Sequence, residues 1–554
     1  MSPVERTTEP HRIAILPLKN ISPDPRDEYF TDGMTEELIS TVSKIADLRV
    51  IARTTAMRYR GANKTVAEIG AELRVRTVLE GSVRKAGDRL RIAVQLIDAP
   101  SDAQIWSADY DRDLSDVFAI QREIAERIAG ALKVEIGRQT QLRLETGATT
   151  VVDAYTLYLE GRFHWNERTR DGLAQAFALF ERALERDPKF ARALSGLADA
   201  YTALAILEFA APNQAFPKAR QSAERALALD DNLAEAHASL GFVHSLYDRD
   251  WAAAERELRR AIELNPNYPA AHQFYADHLK AMGRLPEALE EMHHALDLDP
   301  LSLPILTGVG HVLYLSRDFD AAILQYRAAL EVDPKFVLAH LWFGRPYLEK
   351  RMFPEAIAEI REAVELSHGS TISLAVLGHA YASAGNAPEA REILARLFER
   401  SKSEYMPSYW IALIYAGLGD PDEAFLWLDR AAEERSSWLT WIRVEPRFDG
   451  LRSDPRFPML LRRLRLDDAG VTRASTTFAD DAALRAFLSE RSGLRLSDYR
   501  VLGDYVRYDE SARNLLKDLR TQIVTGLREA SARHDNFLLW APPGTGKTFF
   551  VREA

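Results

Sequence analysis

Small residues return every 34 positions through the second half of this chain, at Ala276, Gly310, Gly344, Gly378 and Ala412. A period of that length constrains the fold more than any other feature, because it marks stacked helix pairs that cannot bury their apolar faces alone. A second small column lies twelve residues on, at Ala288, Ala322, Ala356, Ala390 and Ala424, and a larger one follows at Met292, Tyr326, Ile360, Leu394 and Leu428. Small side chains at two positions let paired helices approach closely, and the larger column fills the remaining gap. Pro300 and Pro334 then end second helices.

The pattern continues backward with insertions. Ala254, Leu258, Ala261 and Pro266 end one repeat, Ala219, Ala223 and Ala226 another, and Ala176, Phe180, Ala183 and Pro188 the first, which makes eight repeats. The runs AFALFERALERDP (176 to 188) and LGHAY (377 to 381) resemble the tetratricopeptide family. That resemblance implies a superhelical solenoid over residues 153–466, mainly α, closed by a capping helix in VEPRFDGLRSDPRFPMLLRRLRL, with a concave groove that holds a protein or peptide partner. One residue after the small column, Asp277, His311, Arg345, His379 and Leu413 are expected to face that groove as its partner-binding stripe, the plainer alternative being that they are merely solvated helix residues. Chaperone-tail readers of the family use a Lys and Asn clamp for a terminal carboxylate. Gln273 and Asp277 stand at corresponding positions here, so that ligand is not expected.

Ahead of the repeats, residues 1–137 mix two periodicities. RIAILPL (12 to 18) and LRVIAR (48 to 53) read as strands, MTEELISTVSKI (34 to 45) and TVAEIGAELR (65 to 74) as helices, and RTVLEGSVR and RLRIAVQLI as a hairpin turned at KAGD. QIWSADYDR and the helix VFAIQREIAERIAGAL complete a small α+β domain. Its runs YFTDGMTEELI, VLEGSVRKAGDRLRI and IWSADYDRDLSDVFAIQREIA resemble the TolB-like amino-terminal domain found beside tetratricopeptide arrays in bacterial signalling proteins. The resemblance implies no agreed activity. Gly33 and Gly81 read as backbone requirements, Trp106 and Tyr110 as core, and Glu80 with Arg84 as a strand pair.

A polar stretch at 467–500 reads as a linker into a third unit, 501–554, where FLLW runs into APPGTGKT. A strand followed by a Gly-rich turn and a helix start is the context in which backbone N–H groups cradle phosphate. The run PPGTGKT resembles the Walker A loop of AAA-type ATPases, with Ala541 in place of the first Gly. The resemblance implies a nucleotide site at Gly544, Thr545, Gly546, Lys547 and Thr548, with Thr548 as the magnesium ligand. Six residues follow Thr548, so the sequence reads as truncated inside that domain; ATP and magnesium are expected only for a complete one, and no cofactor for the chain as given.

The chain has no cysteine, no apolar run long enough for a membrane helix and no secretory h-region, so the cytoplasm is the expected location. Its net charge of -11 disfavours a polyanion binder, yet Arg49 to Arg91 holds eleven Arg/Lys against four Asp/Glu. The simpler expectation is that flanking acids, among them Asp27, Glu28, Asp32, Asp109, Asp111 and Asp113, face these bases within one domain. No Ser/His/Asp or metal-ligand constellation stands out, so no catalysis is expected from these residues. The readings that remain are an interaction scaffold or sensor in bacterial regulation, a part of a signalling ATPase and, least favoured, nucleic-acid binding through the basic segment.

Overall fold

The alternating apolar runs of the amino-terminal region assemble into a mixed sheet. In the computed structural model residues 11–467 are described, apart from 46, 135, 139, 142–148, 403 and 404, together with the strands Val501–Leu502 and Tyr505–Val506. Strands β1 (His11–Ile15), β3 (Leu48–Val50) and the first part of β4 (Thr77–Ala86) run parallel, and β2 (Lys19–Asn20) extends the pairing along β4. From β4 the chain turns back through Gly87, at φ 59°, into β5 (Arg89–Asp98) and β6 (Ala103–Asp113), both antiparallel. The expected hairpin turn is therefore present, and its left-handed φ suits glycine.

Helices α1 (Glu28–Ser43) and α3 (Val117–Ala131) cover one face of the sheet. On the other face α2 (Val66–Leu73) buries Ile69 and Leu73 against Val75, Val78 and Ala99. The helix α2 starts on a reciprocal cap between Thr65 and Glu68, which satisfies two otherwise orphaned N–H groups. The expected Glu80–Arg84 pair is absent. Gln95 stands directly opposite Glu80 across the β4–β5 ladder and donates to its carboxylate at 2.6 Å. Tyr110 is buried, whereas Trp106 is only partly so.

The basic segment is matched from both sides, as its flanking acids suggested. Arg60 pairs with Glu28 and Asp32, Lys85 with Asp27, Arg91 with Asp109, and Arg89 with Asp111 and Asp113.

Eight helix pairs follow, from Val152–Asn166 with Arg170–Arg186 to Ser408–Gly417 with Pro421–Glu433. The sequence columns have the predicted roles. A Cβ on Gly310 would stand 2.5 Å from the Tyr326 ring, and one on Gly344 2.5 Å from Ile360 Cγ1. At Gly310 and Gly344 the small column is thus where first helices meet the large side chains of their own second helices, whereas a Cβ on Gly378 would meet Ile414 of the next repeat and Ile393. A further device recurs in repeats three, four and six. His237, His272 and His340 each place Nδ1 2.7 Å from a second-helix carboxylate, of Glu257, Glu291 and Glu359.

The amino-terminal domain shares its core with the array. One apolar cluster runs from Phe30, Met34 and Ile124 into Tyr155, Leu159 and Phe180. Gly33 permits this contact, since a Cβ there would lie 2.8 Å from Leu159 Cβ. Polar contacts carry the docking onward to repeat four. Arg12 pairs with Asp297 at 2.6 Å, Asn267 donates to the Leu48 carbonyl at 2.7 Å, and Thr55 donates its hydroxyl to Asp299 at 2.6 Å. No helix among the described residues is long and apolar enough to cross a membrane.

Candidate functional site

First helices line the concave side of the array, and the expected stripe lies there, but it is not solvated. His311 is 2% exposed, Arg345 1%, His379 4% and Leu413 0%, and Asp277 is half-buried. The cover is the chain itself. After repeat eight the polypeptide forms a short turn at Ser437–Trp441, a second at Pro446–Leu451 and the helix Arg456–Arg463. The two turns lie in the groove.

Contacts from this segment reach back across the repeats. Trp441 donates its indole N–H to the Asp277 carbonyl at 2.9 Å, and its ring lies 5.0 Å from Lys280 Nζ and 5.7 Å from the His311 ring. Lys280 pairs with Asp277 at 2.5 Å and approaches His311 Nδ1 at 3.1 Å. Farther along, Glu445 accepts from the Tyr314 hydroxyl at 2.8 Å and from Arg447 at 2.8 and 2.9 Å. Burial alone would raise the Glu445 carboxyl; the Arg447 guanidinium overrides it and holds the group down to about 2. Burial depresses His379 to about 3, with Arg447 adding to the effect. His311 is driven well below its ordinary value by burial and then by Lys280 and Arg345.

The array curves far enough for its ends to meet through this segment. Glu208, after the first helix of repeat two, accepts indole N–H bonds from Trp410 of repeat eight and from Trp438, both at 2.8 Å. Burial pushes its carboxyl up to about 7, against the two indole donors, which lower it. Trp251 of repeat three donates to the Arg465 carbonyl at 2.8 Å. The helix Arg456–Arg463 meanwhile lies against repeat eight through Arg456–Asp422 at 2.8 Å and Arg463–Asp429 at 3.1 Å.

The structure departs from both readings of the stripe in one respect. Asp277, His311, Arg345, His379 and Leu413 are brought together on the concave side, yet as the buried floor of a filled groove rather than a solvated surface. Sequence reasoning missed the residues that fill it, Trp438, Trp441, Glu445 and Arg447. A signal was available in SSWLTWIRVEPRF, whose aromatic density exceeds what one capping helix needs. The nucleotide-loop residues Gly544, Thr545, Gly546, Lys547 and Thr548 lie outside the described residues.

Comparison with known proteins agrees with this architecture. Tetratricopeptide-repeat family models match residues 245–304, 310–370 and 376–437. The array is a tetratricopeptide-repeat solenoid. Before the tetratricopeptide array, residues 9–127 match the model described as HilA/YgeH-like transcriptional regulator, second domain. Putative adenylate cyclase 3 of Rhizobium meliloti is 37% identical over 195 residues, 35% of this chain and 32% of that protein. Transcriptional regulator HilA of Salmonella typhimurium is 22% identical over 306 residues, 54% of this chain and 53% of that one. The chain thus spans about a third and about half of the length of these curated relatives. Among solved structures, the type IV pilus biogenesis factor PilW aligns with TM-score 0.33 at 18% identity, over 39% of this chain and 94% of its own. YrrB, a TPR protein with an unusual peptide-binding site, aligns with TM-score 0.25 at 19% identity, over 35% and 95%.

Proposed function

We propose that this chain is an interaction module of a bacterial regulatory or signalling protein. In this reading a protein or peptide partner binds the tetratricopeptide groove along Asp277, His311, Arg345, His379 and Leu413 in exchange for the chain's own segment. The observation that supports it is the occupant: residues 437–451 lie across the concave face of several repeats, as a bound peptide would. Regulation fits the names of the curated relatives, a transcriptional regulator and an adenylate cyclase. The TolB-like motifs then belong to a base that fixes the early repeats. The nucleotide-loop motif extends the reading to an output domain in which Lys547 and Thr548 hold ATP phosphates and magnesium.

Energetics set what the partner must supply. Leu439, Ile442, Phe448 and Leu451 are buried in the seated segment, and re-exposing such side chains costs about 1.5–3 kcal/mol each. The groove is therefore rarely vacant, and apparent affinity falls by the vacant fraction. A competent partner brings comparable apolar and aromatic area.

The test is a labelled synthetic peptide of residues 436–451. The wild-type chain should bind it weakly, and a Trp438→Ala/Trp441→Ala variant, with its own segment loosened, at least about tenfold more tightly. If neither protein binds the peptide, groove exchange is rejected.

A further inference from the structure

Beneath the seated segment, His311 and Arg345 flank the Trp342 ring, and all three side chains carry donors that nothing accepts. The His311 ring centre lies 5.1 Å from that ring and the Arg345 guanidinium carbon 5.3 Å. Trp342 Nε1, His311 Nε2 and Arg345 Nε are all buried without a hydrogen-bond partner. The tautomer of His311 follows from its neighbour. Lys280 Nζ, which can only donate, stands 3.1 Å from Nδ1, so Nδ1 accepts and the proton of the neutral ring sits on Nε2. All three orphaned atoms are therefore N–H donors. A fourth, Arg447 Nη1, is also buried and unpartnered, and Arg447 lies close enough to depress both His311 and Arg345.

Charge tells the same story. Lys280 is matched by Asp277, and Arg447 by Glu445. Arg345, 1% exposed, has no carboxylate within ion-pair distance among the described residues, and Glu445 acts on it only from farther away. A buried guanidinium left unpaired is strongly unfavourable, and a neutral water could satisfy a donor but not the charge.

We propose that a small monocarboxylate binds at this point between groove and segment, its two oxygens accepting from Arg345, Trp342 and His311 on the groove side and from Arg447 on the segment side. A guanidinium with no carboxylate at ion-pair distance calls for a small anion of low charge. A planar guanidinium beside two further N–H donors fits the paired oxygens of a carboxylate better than a spherical halide. Because the ligand bridges groove and segment, it holds the groove closed. The site does not depend on the groove ever being vacated, so it stands or falls apart from the exchange reading.

Equilibrium dialysis of the full chain with radiolabelled acetate, in buffer free of other small anions, is the direct test. One acetate per chain is expected, with a saturable rise in Tm. Trp342→Phe keeps the ring but removes one donor, and should weaken acetate binding about tenfold or more. Arg345→Met should abolish it and, without acetate, should melt above wild type. Parallel dialysis with chloride and phosphate tests the class. No bound acetate, undiminished binding by Trp342→Phe, or tighter binding of chloride or phosphate would each overturn the proposal. Should Arg345→Met fail to fold, Trp342→Phe alone decides.

Discussion

Trp441 donates its indole N–H to the backbone carbonyl of Asp277, 164 residues earlier and 2.9 Å away. A helix carbonyl thus gains an acceptor role outside its own ladder, and the groove gains a lid. Trp441→Ala should lower stability by about 2–4 kcal/mol through lost packing. It should also raise amide exchange in residues 269–315, where Lys280 and His311 lose their cover. A wild-type urea midpoint with unchanged exchange would show that the segment is not held at this point.

Ring closure at Glu208 carries a pH dependence. Its folded carboxyl sits at about 7, above the ordinary 4.5, so the folded state binds the proton more tightly. The contribution is full below the ordinary value and is lost as pH rises through about 7. Partial exposure of the residue trims the effect to about 2 kcal/mol. Glu208→Gln should therefore match wild type near pH 4.5 and exceed it by about that amount at pH 8. Denaturant midpoints across that range measure it, and parallel curves for the two proteins would contradict the assignment.

Gly344→Leu should force apart the sixth helix pair, because the first added carbon would already lie 2.5 Å from Ile360 Cγ1. Overpacking of this kind costs about 1–3 kcal/mol or more, and in a solenoid the loss reaches neighbouring repeats. Broadened exchange in repeats five to seven, with a lowered midpoint, is the expected result.

Thr55 fastens the amino-terminal domain to repeat four. Its hydroxyl donates to Asp299 at 2.6 Å and accepts from the Leu301 N–H at 2.9 Å, and its own N–H reaches Asp299 at 2.9 Å. Thr55→Val leaves the buried carboxylate with one donor fewer, at a cost of about 1.5–3 kcal/mol. Limited proteolysis between the domain and the array should speed up, whereas Thr55→Ser should behave as wild type.

Several arginines of the basic segment are already paired. With Arg60, Arg89 and Arg91 paired to carboxylates, titration of duplex or single-stranded nucleic acid should show no steeply salt-dependent binding by the full chain. A slope equivalent to several released counterions would mean that these pairs open.

What the sequence determined by itself is the local part of the molecule. The period, the eight pairs and the fit of Gly310 to Tyr326 or Gly344 to Ile360 all concern residues sixteen apart on helices joined by a short turn. Such contacts leave a repeating mark because each pair solves the same packing problem. The amino-terminal sheet was legible for the same reason: alternation and a turn residue at Gly87 specify neighbouring strands. The nucleotide loop was legible only as a motif.

Tertiary structure alone decided whether the groove is open. Repeat two meets repeat eight at Glu208 and Trp410 because small rotations accumulate along the array. Nothing in one repeat encodes that sum. Only then does the concave side become narrow enough for one segment to touch both walls. Hence Asp277, His311, Arg345 and His379 carry the right phase but the wrong environment in the sequence reading. Polar residues at a periodic position look solvated until a distant part of the chain, here Trp441 and Arg447, removes the water.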